Sequence, residues 1–477
     1  MPATRPHVLV IGSGLAGLAA AESLVRGRTS GDLEVTVVDP SGRVGGVLGT
    51  VLDAGWLVER SADCFLAARP EAISLVERIG LGDQVIGVEP PARRALVWHA
   101  GRCRPVPAGF RLLAPGRVRP ILTTPLLSLR GRGRLLWERF VPRARGTSDD
   151  ESLEQFAVRR LGREAFERLV QPLAAGIWTA DPARLSMAAA CPEFLAMERD
   201  AGSLWAGERI RQRGTVGADH ATGARYGQFV TLRSGMEALP QRLAERLRAA
   251  GVRFVTGRVS AVSRDAERRW RVAGSGLDAA AVGNVDALVV ATPAHVAAEM
   301  LGSLDPPLAD ELASIDYAGS CIVSLGYARD HVGHPLDAAG LVIPRIAGRG
   351  ILAVSFSSSK FPGRAPAGCV LLRVFLGGAL DPGAMQLADG MLVERARAEV
   401  ADLLAARGEP RLVHVERWAR AMPQYHLGHA SRVARIDAAL ARHPGLALAG
   451  AAYTGVGIPQ VIASGQAAAE TCRRCLS

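Results

Sequence analysis

The stretch HVLVIGSGLAGLAAAESLVR, residues 7–26, passes from a β-branched run to a helical one across a glycine turn. His7–Ile11 is short, apolar and without alternation, the pattern of a parallel strand buried on both faces. Leu15–Arg26 reads as an apolar helix. Between them Gly12-Ser13-Gly14-Leu15-Ala16-Gly17 fits G-x-G-x-x-G. Gly12 permits the tight turn, Gly14 lets a pyrophosphate reach the backbone, and Gly17 lets helix and strand pack closely. The helix N-terminus then faces the negative charge. The next strand, Glu34–Asp39, ends on an acid placed to accept hydrogen bonds from ribose hydroxyls. The glycines alone would describe an ordinary turn; strand, turn, helix and terminal acid together predict a βαβ dinucleotide site.

A second glycine turn follows at once, Ser41-Gly-Arg43-Val-Gly45-Gly46. A free NAD dehydrogenase has no need of it. It resembles the R-x-G-G element of the amine-oxidase-like flavoproteins, where such a turn meets the FAD pyrophosphate and an arginine, here Arg43, braces it. Further resemblances run in order along nearly the whole chain: Gly55-Trp56-Leu57-Val58-Glu-Arg60 with Phe65-Leu66; Gly176-Ile-Trp-Thr-Ala-Asp181-Pro-Ala-Arg-Leu-Ser186; Gly227-Gln-Phe-Val-Thr-Leu-Arg-Ser-Gly235; Arg417-Trp418, Met422-Pro-Gln-Tyr425 and Gly428-His429; and Gly455-Val456-Gly457-Ile-Pro459 after Gly450. The pattern is similar to the bacterial protoporphyrinogen/coproporphyrinogen oxidase family.

That resemblance implies an FAD-dependent, oxygen-using oxidase of haem biosynthesis. It would take a porphyrinogen, either protoporphyrinogen IX or coproporphyrinogen III, to the porphyrin and release hydrogen peroxide. It also implies flavin contacts at Gly55–Val58, Val259, Trp418 and Gly455–Gly457. Substrate contacts fall at Arg69, a candidate for gripping a propionate, and at Asp181. No catalytic acid or base is assigned, because the cofactor carries the chemistry. The chain departs from the family at Ser61-Ala62-Asp63-Cys64, at Trp178 and Ala180, and at Gln460-Val461, all near the expected substrate cavity and flavin edge. A carotenoid or phytoene desaturase shares the G-x-G-I-P ending, and a non-catalytic flavin- or porphyrin-binding relative would share most of the rest.

Composition sets the outer limits. The chain has 477 residues, 48% of them hydrophobic, enough for two or three domains. Seven scattered cysteines argue against a disulfide framework and for a reducing cytoplasm. Cys472-x-x-Cys475 lacks a second pair and reads as a frayed tail, and His426 and His429 lack partners, so no metal site is expected. Neither a signal peptide nor a spanning helix is expected, since glycines and Pro459 interrupt the uncharged stretch 445–469. Net charge is +11, and essentially all of it lies between Pro91 and Ser148, where thirteen arginines face one acid, Glu138. Leucines, Phe110, Trp137 and Phe140 interleave with them, which suits an anionic membrane surface or a polyanionic substrate. No nucleic-acid motif accompanies the charge.

The expected architecture is α/β, with a discontinuous Rossmann-type FAD-binding domain (1–60, 228–300, 410–477), a mixed-sheet substrate domain (61–90, 301–409) and a basic helical insertion (91–227). Residues 200–227 read as a long loop.

Overall fold

The computed structural model describes residues 5–27, 32–144, 150–214, 229–277, 282–283 and 285–476. His7–Ile11 is the centre of a five-stranded sheet ordered Arg253–Thr256, Glu34–Asp39, His7–Ile11, Ala287–Val290 and Leu446–Leu448. All four pairings are parallel. The central strand is buried throughout, as its unalternating sequence requires. On one face the helices Leu15–Val25 and Ile458–Leu476 pack closely, because small residues line their contact: a Cβ at Gly465 would overlap the Ala16 carbonyl oxygen. On the other face lie Ala294–Leu301, Pro306–Ala313 and His429–Leu440.

A second sheet has seven strands in the order Leu412–Pro423, Tyr317–Ala328, Cys369–Gly377, Ala353–Phe356, Gly340–Val342, Ala95–His99 and Arg102–Pro105. It is mixed: Gly340–Val342 runs parallel to Ala95–His99 and every other pair is antiparallel. The third unit is helical and caps this sheet. Its helices include Val118–Thr123, Leu129–Leu136, Leu153–Leu161, Gln171–Trp178, Pro192–Ala201 and Leu204–Gly214 around Phe110, Phe156, Leu169 and Phe194. Fully buried Arg160 holds the cap together, pairing with buried Glu138 and with Glu198 at 3.3 Å and donating to the Val141 carbonyl at 2.9 Å.

Four expectations need correction. Residues 204–214 form a helix, not a loop; Glu208 accepts from Arg111 at 3.1 Å and from Arg211 on the next turn, so a polar face is paid for by ion pairs. Residues 215–227 of the expected loop lie outside the described residues, as do Gly227 and Gln228 of the motif Gly227–Gly235. The basic insertion begins with two strands, Ala95–His99 and Arg102–Pro105, before any helix. Leu412–Pro423 belongs to the mixed sheet and not to the parallel one. The C-terminal C-x-x-C is no frayed tail: the last helix runs through it, and Cys472 is fully buried against Leu288 and Gly445 of the parallel sheet.

Candidate active site

Two glycine turns meet face to face at the carboxyl end of the parallel sheet. Gly45 N donates to Ser13 O at 2.9 Å, and a Cβ on Gly46, itself at φ +60°, would come within 3.2 Å of Gly14 Cα. Gly12 sits at φ +107° with Ala291 O where a Cβ would be, and a Cβ on Gly17 would overlap the Gly12 carbonyl. Gly14 differs. Its backbone is extended, and a Cβ there would find only Gly46 Cα, 4.0 Å away. The first and third glycines are therefore fixed by protein contacts, whereas the second borders an open groove at the N-terminus of Leu15–Val25.

Asp39 closes one side of that groove. Its carboxylate accepts from Ser13 N at 2.8 Å, Ser41 N at 2.9 Å and Ser41 Oγ at 2.5 Å. Val259 begins beside it, since Gly257 N donates to Asp39 O, and its side chain is buried. Arg43 acts on the second turn itself, donating to Leu48 O at 2.9 Å and to the Gly46 carbonyl, with Glu237 3.8 Å away. The hydroxyl of Thr292, next to Gly12, is buried without a partner. Open groove, oriented amides, an acid and an unsatisfied hydroxyl together fit a dinucleotide such as FAD.

A cavity of about 500 Å³ opens between the start of the last helix, the mixed sheet and the helical cap. That volume suits a small organic ligand. It brings together Arg69, Trp178, Lys360, Tyr425, Gly455–Gly457 and Gln460. The Gly455–Gly457 turn leads into the last helix, and a Cβ on either glycine would strike the Gln460 side chain. Arg69 is exposed at the N-terminus of the helix Pro70–Arg78, and its guanidinium makes no hydrogen bond to the described residues.

The motif around Tyr425 ties the three units together. Tyr425 OH donates to Ala451 O at 2.5 Å, and its ring stacks on His429 with centroids 4.2 Å apart. The Gln424 amide donates to Trp178 O of the cap at 3.3 Å. His429 is buried and lies 3.2 Å from Tyr453 O; burial pushes its pKa down to about 4, so it is neutral here. His426 lies 3.2 Å from Asp316. Neither histidine lines the cavity; His429 stands behind it through its stack on Tyr425.

Several other expected site residues have protein partners of their own. Asp181 does not line the cavity; its carboxylate caps the turn at Ala183 N, 3.0 Å away. Trp56 and Val58 pack against Leu371 of the mixed sheet, so those side chains are core. Trp418 donates through Nε1 to Arg60 O at 2.8 Å, with the Arg60 guanidinium 5.8 Å above its ring. Leu57 is buried, its N–H given to Arg364 O.

Motif reading missed the polar groups in the cavity wall. Lys360 Nζ donates to Asp63 Oδ2 at 2.9 Å, and the Arg373 guanidinium lies 3.5 Å from the same carboxylate. Burial works against the charge on Asp63, but the pull of Lys360 and Arg373 outweighs it and holds the carboxyl well below the usual range. Burial, then the Asp63 charge, pushes the Cys64 thiol up to about 12. Glu59, behind them, accepts from Met236 N at 2.9 Å and Thr50 Oγ1 at 2.8 Å; burial still raises it to about 7. The departure from the family at residues 61–64 had marked this wall. Nothing local pointed to Lys360, although it is the only lysine in the sequence.

Residues 15–473 match the flavin containing amine oxidoreductase family. The coproporphyrinogen III oxidase of Bacillus subtilis is 32% identical over 469 residues, covering 97% of each chain. That of Propionibacterium freudenreichii is 34% identical, covering 98% of this chain and 91% of its own. The protoporphyrinogen oxidase of Macaca fascicularis is 31% identical, covering 97% of each. Among solved structures, a candidate protoporphyrinogen oxidase from Exiguobacterium sp. 255-15 superposes with a TM-score of 0.84 at 27% identity, covering 98% of each chain. Reduced UDP-galactopyranose mutase shares the fold alone, with a TM-score of 0.70 at 18% identity, covering 99% of this chain and 96% of its own.

Proposed function

Since the chain belongs to the flavin containing amine oxidoreductase family, we propose that it is an FAD-dependent oxidase converting a porphyrinogen to the porphyrin in haem biosynthesis. The observation that carries this reading is the full-length similarity to oxidases of coproporphyrinogen III and protoporphyrinogen, on a fold that places an open cavity against the Gly455–Gly457 turn. FAD, when bound, supplies two-electron oxidation, and in this reading dioxygen is the terminal acceptor.

The chain's own residues bind and orient. The groove at Gly14 and the amides of the helix Leu15–Val25 receive the pyrophosphate, Asp39 the ribose, and Arg43 holds the second turn in shape by capturing its carbonyls. The Gly455–Gly457 turn and the helix that follows it offer amides to the flavin ring. Trp178, Tyr425 and Phe375 make the cavity apolar and exclude water, while Arg69 at its rim takes a substrate carboxylate.

The test is a flavin spectrum of the purified protein followed by anaerobic addition of each porphyrinogen. Bleaching of the flavin, then porphyrin fluorescence and hydrogen peroxide on admitting air, is expected. Flavin that neither porphyrinogen bleaches makes the protein a non-catalytic binder; bleaching by phytoene alone makes it a desaturase.

A second feature of the cap favours docking on an anionic membrane surface. No helix among the described residues is long and apolar enough to cross a membrane. Yet Leu129 is 81% exposed, Trp137 60% and Phe140 55%, joined by exposed Val118 and Leu122. Arg119, Arg130 and Arg139 are exposed among them, whereas Arg94, Arg111, Arg132 and Arg134 are spent on internal acceptors. Apolar side chains interleaved with cations suit insertion at the headgroup level.

A further inference from the structure

Residues 451–455 lead from the last strand of the parallel sheet, Leu446–Leu448, into the Gly455–Gly457 turn. Among the described residues, the hydrogen bonds that reach this loop from outside come from two buried side chains, Tyr425 and His429. Tyr425 donates through its hydroxyl to Ala451 O at 2.5 Å. The Gly455 N–H stands close enough to the same oxygen to work against the burial that raises the hydroxyl's pKa. His429 Nε2 lies 3.2 Å from Tyr453 O, and because the ring is neutral that contact needs the proton on Nε2. Nδ1 is then bare, buried without a partner. The two rings stack with centroids 4.2 Å apart, so each limits the other's movement.

The pair has a firm base. Gln424 N donates to Asp316 O at 2.8 Å, Ser186 N to Tyr425 O at 2.8 Å and Leu427 N to Arg184 O at 2.9 Å. Gly428 N, just before His429, donates to Asp150 Oδ2 at 3.0 Å. The turn that follows the loop has no such base. Gly455 sits at φ +150°, a conformation that side chains rarely adopt, so the backbone there has glycine's freedom. Val456 and Gly457 line the cavity, and their N–H groups have no acceptor among the described residues. The helix Ile458–Leu476 fixes one end of the turn, and Tyr425 and His429 grip the loop at the other.

We infer that Tyr425 and His429 are positioning residues for the flavin: by gripping residues 451–455 they hold the Val456 and Gly457 amides in place for the ring. This rests on the flavin placement proposed above. A flavin ring gains negative charge on reduction, and donors fixed in advance stabilise that charge without having to reorient. A fixed turn therefore favours the reduced over the oxidised cofactor and raises its midpoint potential. The hydroxyl of Tyr425 carries the grip, whereas its ring serves the cavity wall and the stack on His429.

The experiment is the two-electron midpoint potential of the FAD-loaded protein, with the flavin's visible absorption and circular dichroism, for wild type, Tyr425→Phe, His429→Leu and His429→Gln. Tyr425→Phe keeps the ring and removes only the hydroxyl. It is expected to retain FAD and to lose about tenfold in its preference for reduced over oxidised flavin, a fall of about 30 mV. In porphyrinogen turnover kcat should fall with KM unchanged. His429→Leu should lower the potential likewise, and His429→Gln, which keeps an N–H donor at similar reach, should recover most of it. A lower Tm with potential and flavin spectrum unchanged, in both Tyr425→Phe and His429→Leu, would make the pair ordinary core and overturn the inference. Val456→Asp tests the placement separately, because it puts a carboxylate on the turn itself. If it lowers the potential and Tyr425→Phe does not, the inference alone fails; if neither does, the flavin is not at this turn and its proposed placement falls too. The potentials decide the inference even if the wild type oxidises no porphyrinogen, an outcome that would remove only the proposed substrate.

Discussion

Replacing Gly14 by alanine places a methyl group in the groove between the two glycine turns, and the consequences for protein and cofactor separate cleanly. Gly14 has φ −65° and ψ 172°, a conformation open to any residue, so the substitution adds no backbone strain. Its Cβ would meet nothing closer than Gly46 Cα at 4.0 Å. As the N-cap of Leu15–Val25 it makes no side-chain cap, so the change costs the fold about 1 kcal/mol or less. For FAD the same methyl holds the pyrophosphate off the helix N-terminus. Loss of one charge-assisted hydrogen bond there is worth roughly 1.5–3 kcal/mol, or about ten- to a hundredfold in affinity. Gly14→Val should lose FAD altogether. Gly17→Ala gives the opposite result: its Cβ overlaps the Gly12 carbonyl inside the helix–strand contact, so the fold itself loses about 1–3 kcal/mol or more. The assay is flavin content per chain together with the Tm of the deflavinated protein for wild type, Gly14→Ala and Gly17→Ala. Wild-type FAD affinity in Gly14→Ala, or a fall in its apo Tm as large as that of Gly17→Ala, would refute the assignment of groove and packing glycines.

Glu59 predicts a pH effect: its folded pKa of about 7 exceeds the ordinary 4.5, so the stability it contributes is complete below pH 4.5 and falls as pH rises through 7, by about 3 kcal/mol. Glu59→Gln should flatten that fall in a Tm-against-pH series, and parallel profiles for variant and wild type would remove the attribution. Arg69→Ala should lower kcat/KM for either porphyrinogen about tenfold, the low end for a charged contact because the residue is exposed, with FAD content unchanged; wild-type rates would make it an ordinary surface arginine. Sedimentation with phosphatidylglycerol vesicles should weaken as salt rises and drop sharply in Leu129→Ser/Trp137→Ser, whereas binding indifferent to both would leave the cap's exposed face without a membrane role.

What could be read from the sequence was what local pattern controls. The strand His7–Ile11, its glycine turn and the helix after it lie within twenty residues, and each glycine's duty follows from its place in the turn. The strand Tyr317–Ala328 was invisible because Gly319 and Gly326 interrupt it. Gly326 is small because the Trp56 ring lies where a Cβ would go, and Trp56 is remote in sequence. For the same reason the packing role of the Trp56 ring could not be read: a tryptophan beside a flavin motif and a tryptophan filling the gap left by a distant glycine have the same local spelling. Asp181 misled similarly, since an acid opening a turn to cap Ala183 N is indistinguishable in sequence from one aimed at a substrate.

The cavity wall shows where this limit falls for function. Asp63 was marked by its departure from the family pattern, but its meaning depends on Lys360, 297 residues away, and on Arg373, further along the same chain. Arg60 likewise reads as one more flavin-adjacent arginine until Glu416, 356 residues on, takes it bidentately at 2.7 and 2.9 Å. The cofactor groove is a property of consecutive residues and so survives as a motif. The cavity wall is assembled from residues hundreds of positions apart that only the folded chain brings together, so no local spelling carries it.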